Sequence, residues 1–170
     1  VFAKEIFHGG PQTLGFLMSA SGLGAFAGAL TIASKETSRG FEKLISTGAF
    51  ISGISLAALA FSSNFYISMV LIFLTGFGMI IFFTSSNTLV QTTAEEHMCG
   101  RVMSLYTMSF MGTMPLGSIF AGSLSQKIGV QYTVLIGGLS CLIGTLIFIM
   151  ELRKKQTLPV HNKLPVLPNR

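Results

Sequence analysis

Five long stretches without a charged residue take up most of this chain. They run from Thr13 to Ala33, Leu44 to Phe61, Tyr66 to Val90, Val102 to Ser125 and Val130 to Met150. Each is close to the roughly 20 residues a helix needs to cross the hydrocarbon layer of a bilayer. In lipid, every backbone N–H and C=O has to find its partner within the protein, so such stretches fold as helices. The expected fold class is all-α: a polytopic membrane helical bundle of about five transmembrane helices.

Composition narrows the function classes. Hydrophobic residues make up 50% of the chain and charged residues 10%, against about 25% charged in a soluble domain. The net charge of +5 is concentrated in connections and the C-terminal segment. It reads as a topology signal, because no basic run alternates with aromatics on a polar background as a nucleic-acid surface requires. Nucleic acid is therefore not an expected partner. The chain has no aspartate, and its six acids (Glu5, Glu36, Glu42, Glu95, Glu96 and Glu151) all lie outside the apolar stretches. The two cysteines, Cys99 and Cys141, have no metal-ligand spacing. His8, His97 and His161 also fall outside the stretches, and no H-E-x-x-H motif occurs. An intramembrane enzyme is disfavoured, and no metal or cofactor is expected.

Basic residues set the expected orientation. Lys35, Arg39, Lys43, Arg101, Arg153, Lys154, Lys155, Lys163 and Arg170 fall on one side of the bundle, and Lys4 and Lys127 on the other. That side is assigned to the cytoplasm, together with the C-terminus. Five crossings then put Val1 outside, which calls for at least one transmembrane helix before it. Residues 1–152 are expected to form one bundle. Residues 153–170, with Pro159, Pro165 and Pro168, are expected to be a disordered basic tail. Its Arg153-Lys154-Lys155 cluster would meet anionic headgroups at the membrane exit.

Within the helices, small residues recur at helical spacing. Gly24 and Gly28, then Gly48, Ser52 and Ser55, then Gly137, Ser140 and Gly144 form stripes of the kind that lets membrane helices approach closely. Such stripes serve static packing or surfaces that slide. The third stretch ends in a polar stripe, Thr84, Asn87 and Gln91, with Thr88 beside it. An amide there should face protein or a water-filled cavity. It serves as an interhelical bond or as the wall of a substrate path. In the fourth stretch, Met111, Pro115, Ser118 and Gly122 share one face, with Gly117 next to them and Met108 and Met114 nearby. Pro115 removes an N–H and crowds a carbonyl, so a kink is expected. This helix is either a passive kinked core element or one that bends and gates. The connection before it contains overlapping capping boxes, Thr92-x-x-Glu95 and Thr93-x-x-Glu96, expected to start a short helical turn that Gly100 ends. Lys35, Arg39, Glu95, Glu96 and Arg101 are candidates for a cytoplasmic latch, the alternative being caps and topology charges.

Asn87–Gln91, Gly100–Tyr106, Pro115-Leu116-Gly117 and Gly122, in that order, resemble the C-terminal half of a major facilitator superfamily (MFS) transporter. The similarity is to the eighth-to-twelfth-helix region of the bacterial drug-efflux branch, which includes macrolide and enterobactin exporters, and it covers nearly all of Val1–Leu152. Val1–Phe7 would then close the seventh helix. The resemblance implies twelve helices in two bundles, substrate at the midplane between them, and alternating access driven by proton entry in the bacterial inner membrane. Partners would be the lipid bilayer, an N-terminal half-bundle absent from this chain, an amphipathic drug-like compound or siderophore, and protons bound in that other half. Ser34–Gly40 keeps the basic residues of the family's loop motif but has no aspartate. An uptake carrier of the same family, or a membrane-embedded packing module without transport, are the alternatives.

Overall fold

The computed structural model describes residues 11–34, 41–62, 64–95 and 97–157. They form five helices: α1 (Pro11–Ala33), α2 (Phe41–Phe61), α3 (Phe65–Thr93), α4 (Cys99–Ile128) and α5 (Val130–Thr157). These match the five apolar stretches, each extended by a few residues. Among the described residues, α1 from Gln12, α2, α3, and α5 as far as Glu151 are long and apolar enough to cross a membrane. The molecule is a multi-pass integral membrane protein. The longest helix, α4 with 30 residues, is not apolar enough to join the other four. Its Ser, Thr and Gly residues stand where the others carry Leu, Ile and Phe.

Short connections alternate the helix directions. Asn64 caps α3, its Oδ1 accepting the Tyr66 N–H at 3.0 Å. The fully buried Ser68 hydroxyl donates to Ser62 Oγ at 2.9 Å, tying the first turn of α3 to the end of α2. Between α4 and α5 only Gly129 intervenes, at φ 87°. With ψ 160° it occupies a region that side chains exclude almost entirely, which is why one residue suffices to reverse the chain.

Helix α3 is the hub of the bundle, packing on α1 and on α2, and α2 carries α5 on a further face. Glycines set these distances. A Cβ added to Gly48 would lie 2.7 Å from the Gly78 carbonyl oxygen, and one added to Gly78 would lie 2.6 Å from that of Gly48. On the α1 side, Gly24 sits against the Phe73 backbone, Gly28 against Phe77 and Ile80, and Gly76 against Ser21. Between α2 and α5, Gly138 meets Ala57 and Gly53 meets Leu142. Where lipid offers no hydrophobic gain from association, this close contact supplies the dispersion energy that holds helices together.

The Gly24–Gly28 and Gly48–Ser52 stripes therefore pack as expected. The stripe on α5 is displaced: Gly138 is buried in the seam, whereas Ser140 and Gly144 are exposed and Gly144 has no neighbour within 4 Å. The helix also runs through Arg153 to Thr157, into the segment expected to be extended chain. Lysine and arginine are good helix formers and interact favourably with the C-terminal end of a helix dipole. The remainder of the expected tail, and the Gly9-Gly10 break, lie outside the described residues.

Candidate functional site

Two features stand out once the packed seams are set aside: the bare face of α4 and a crevice between α2, α3 and α5. The sequence pointed to the first. Helix α4 has no buried residue along its whole length. It leans on α5 and touches α3 mainly where Phe110 meets Phe83 edge to face, with ring centroids 4.5 Å apart. Met108, Met111 and Met114 are all exposed, Met108 to 72%. Pro115, Gly117, Ser118 and Gly122 are exposed as well, and neither glycine has a neighbour within 4 Å. The helix continues through Pro115 without a break. Its hydroxyls turn inward on their own backbone: Thr107 donates to Met103 O at 2.9 Å, Thr113 to Ser109 O at 2.6 Å and Ser118 to Pro115 O at 2.8 Å. Such back-bonds bend helices, and two of them flank the proline.

The polar stripe of α3 lies at the end of the bundle where α4 begins. Thr84, Asn87 and Gln91 follow Phe77 and Ile80 at i+4 and i+7 spacing, so they extend the face that α1 covers higher up. Thr84 and Asn87 are half-buried and Gln91 is exposed. The Gln91 amide donates to Asn87 Oδ1 at 3.1 Å. The two amides thus pair along one helix, where an interhelical bond was one of the expectations. Thr88 donates to its own helix, to Thr84 O at 2.9 Å.

The capping boxes do not form. Thr92 and Thr93 lie inside α3, and Thr92 donates to Thr88 O at 2.9 Å instead of capping a new turn. Glu95 pairs with His97 at 3.6 Å in a solvated contact. Helix α4 starts at Cys99 behind Met98, with no side-chain cap, so Gly100 opens this helix and ends nothing. The apolar run of α3 simply carries the helix past the threonines. Arg101 stands exposed in the first turn of α4. Lys35, Arg39 and Glu96 lie outside the described residues.

The crevice went unseen in the sequence. It encloses about 830 Å³ between α2, α3 and α5, and its walls include Ala49, Ser52, Met79, Phe82, Cys141 and Phe148. None of the sequence-predicted site residues lines it. Gly144, expected to pack a helix, forms part of its wall. Its sequence signal was faint: small and polar residues (Cys141, Gly144, Thr145) on α5 facing larger apolar ones on α3 (Met79, Phe82).

With this geometry established, comparison with known proteins places the chain. The profile of an MFS family described as transmembrane secretion effector matches residues 1–166. The chain belongs to that family. It is 29% identical over 146 residues to the multidrug efflux pump Tap of Mycolicibacterium fortuitum, covering 85% of this chain and 36% of that protein. The staphyloferrin A transporter of Staphylococcus aureus is 25% identical over 154 residues, 91% of this chain and 38% of its own length. An uncharacterised MFS-type transporter of Bacillus subtilis, YfmI, is 25% identical over 163 residues, 94% and 40% respectively. The MFS chain described here thus spans about two fifths of the length of these relatives. No solved structure matches it significantly.

Proposed function

We propose that this MFS chain forms part of a carrier that exports amphipathic small molecules, drug-like compounds or siderophores, by alternating access in the bacterial inner membrane. The bare face of α4 is the observation that carries this reading. A helix with no buried residue, too polar to join the four lipid-adapted spans, is not built to face lipid alone. Its Met111–Pro115–Ser118–Gly122 face offers pliable thioethers, open glycine notches and a proline where the backbone bends. These suit a surface that meets a second helical bundle and moves against it. That bundle would come from the part of the relatives' length that this match does not span.

Two of the relatives support the substrate class, being described as a multidrug efflux pump and a siderophore transporter. Coupling to proton entry needs a protonatable group at membrane depth. The acids of this chain sit outside its apolar stretches, so the coupling acids are assigned to the other bundle. The C-terminus and the connection between α3 and α4 would face the cytoplasm, on the charge bias of the chain.

Export is tested by accumulation of a fluorescent amphiphile in cells with and without the full-length protein. Expression should lower accumulation, and a protonophore should abolish the difference. Equal accumulation across a broad panel of compounds, with and without a proton gradient, rejects the reading.

A further inference from the structure

The crevice between α2, α3 and α5 is closed at one end and open at the other. At mid-depth α2 and α5 are in contact, Gly53 against Leu142 and Ala57 against Gly138. From there it widens towards the end where α2 begins and α5 finishes, with Ile45, Val90 and Phe148 as its outermost walls. The hydroxyls in its walls are largely spent. Ser46, Ser52, Thr75 and Thr145 each donate to a carbonyl of their own helix. What remains for an occupant is an apolar slot.

Its mouth is acidic. On α2 the wall residues Ile45, Ser46, Ala49, Ser52 and Leu56 follow helical spacing, and one turn earlier the same face holds Glu42. Lys43 lies roughly 160° from that face's Ile45 at 3.6 residues per turn, on the far side of the helix. On α5 the walls Cys141, Gly144 and Phe148 are followed at i+3 from Phe148 by Glu151. The two helices run antiparallel, in the register set by Gly53 and Leu142. Continuing that register back along α2 brings Glu42 level with Arg153, within a turn of Glu151. Both carboxylates are exposed, and neither takes part in an ion pair among the described residues.

An apolar slot ending in two carboxylates fits a ligand of one chemistry. We infer that this crevice binds an amphipathic organic cation, its apolar body between Met79, Phe82 and Phe148 and its charge at Glu42 and Glu151. Aromatic and thioether walls suit a flat or branched apolar body. The charge stays at the hydrated rim, so binding avoids the cost of burying an ion. The inference narrows the substrate class proposed above and rests on that reading only in identifying the ligand as cargo. Occupancy of the crevice is a separate fact, measured without flux.

Cys141 in the wall reports that occupancy. Its Sγ lies 3.9 Å from Ser52 Oγ and 3.6 Å from Ala49 O. The experiment uses the full-length protein in de-energised membrane vesicles, with Cys141 as its only thiol. The rate of modification by N-ethylmaleimide is measured with tetraphenylphosphonium or with tetraphenylborate, ions of one shape and opposite charge. The cation should slow labelling several-fold and the anion should not. In Glu42→Gln/Glu151→Gln, protection should need about tenfold more cation, the combined effect of two exposed ion pairs, while the unprotected rate stays at its original value and shows the crevice intact. Equal protection by both ions, stronger protection by the anion (which would give the mouth to Lys154 and Lys155), no protection by either, or cation protection unchanged in the double variant overturns the inference. Protection without any export of the cation would sustain this site and count against the export reading, so the two fail separately.

Discussion

At the scale of the residue, the same chemistry has opposite consequences at different places in this bundle. Ser68 and Ser85 are both fully buried on α3. The Ser68 hydroxyl donates to Ser62, whereas Ser85 Oγ has no hydrogen-bond partner. A buried hydroxyl without a partner carries its desolvation cost uncompensated, and a paired one gains about 1 kcal/mol. Ser68→Ala should therefore lower stability by about 1 kcal/mol, because it also orphans Ser62, while Ser85→Ala should leave stability unchanged or raise it. Unfolding in detergent measures both, and a larger loss for Ser85→Ala would show that its hydroxyl is engaged. Glycine gives a similar contrast. Gly78→Ala drives a methyl to 2.6 Å from the Gly48 carbonyl oxygen, and overpacking of this kind costs about 1–3 kcal/mol. Gly122→Ala meets nothing within 4 Å in this chain and should raise helix stability by up to about 1 kcal/mol. Equal melting temperatures for the two variants would contradict the assigned seam.

At the scale of the element, the existence of each helix was legible because backbone satisfaction in lipid leaves no other fold for a long uncharged apolar run. The Gly24–Gly28 and Gly48 stripes were legible for the same reason, since small residues at helical spacing have few other uses there. What escaped was whatever depends on a partner helix. Gly76 and Gly78 make α3 the hub, yet in sequence they are isolated glycines in a run of Phe, Leu and Ile. Gly144 looked like packing and lines an open crevice, because a stripe does not say which side its neighbour occupies. The threonine boxes failed because a capping motif competes with helix continuation, and the apolar run of α3 favoured continuation through Thr93. Helix α4 also permits a prediction at this scale. Proline in a helix interior costs about 3 kcal/mol relative to alanine, so Pro115→Ala should make α4 straighter and the protein harder to unfold. If bending of α4 serves export, the same variant should transport more slowly despite its higher melting temperature. A variant that is both more stable and fully active would leave Pro115 a passive kink.

At the scale of the whole molecule, α1, α2, α3 and α5 form a packed unit through their glycine seams, and α4 stands at its margin with one side on α5 and Phe83. Transport assigns different tasks to the faces of α4. Met111, Pro115, Ser118 and Gly122 lie together, while Thr113, Leu116 and Phe120 lie on the opposite side, with Phe120 exposed to 75%. If the first face borders an aqueous passage between two bundles, its accessibility must change as the bundles rock, and a large apolar side chain such as Phe120 belongs in lipid or in fixed packing throughout. Single cysteines at Ser118 and at Phe120, in a full-length protein otherwise free of cysteine, separate the two. A membrane-impermeant, water-soluble thiol reagent should modify the cysteine at 118, with a rate that changes at least several-fold when transported substrate is added, because substrate shifts the population of the two access states. The cysteine at 120 should react slowly and without response. If the two positions behave alike, the glycine and methionine face of α4 does not border the passage, and its bareness has to be assigned to contact with lipid.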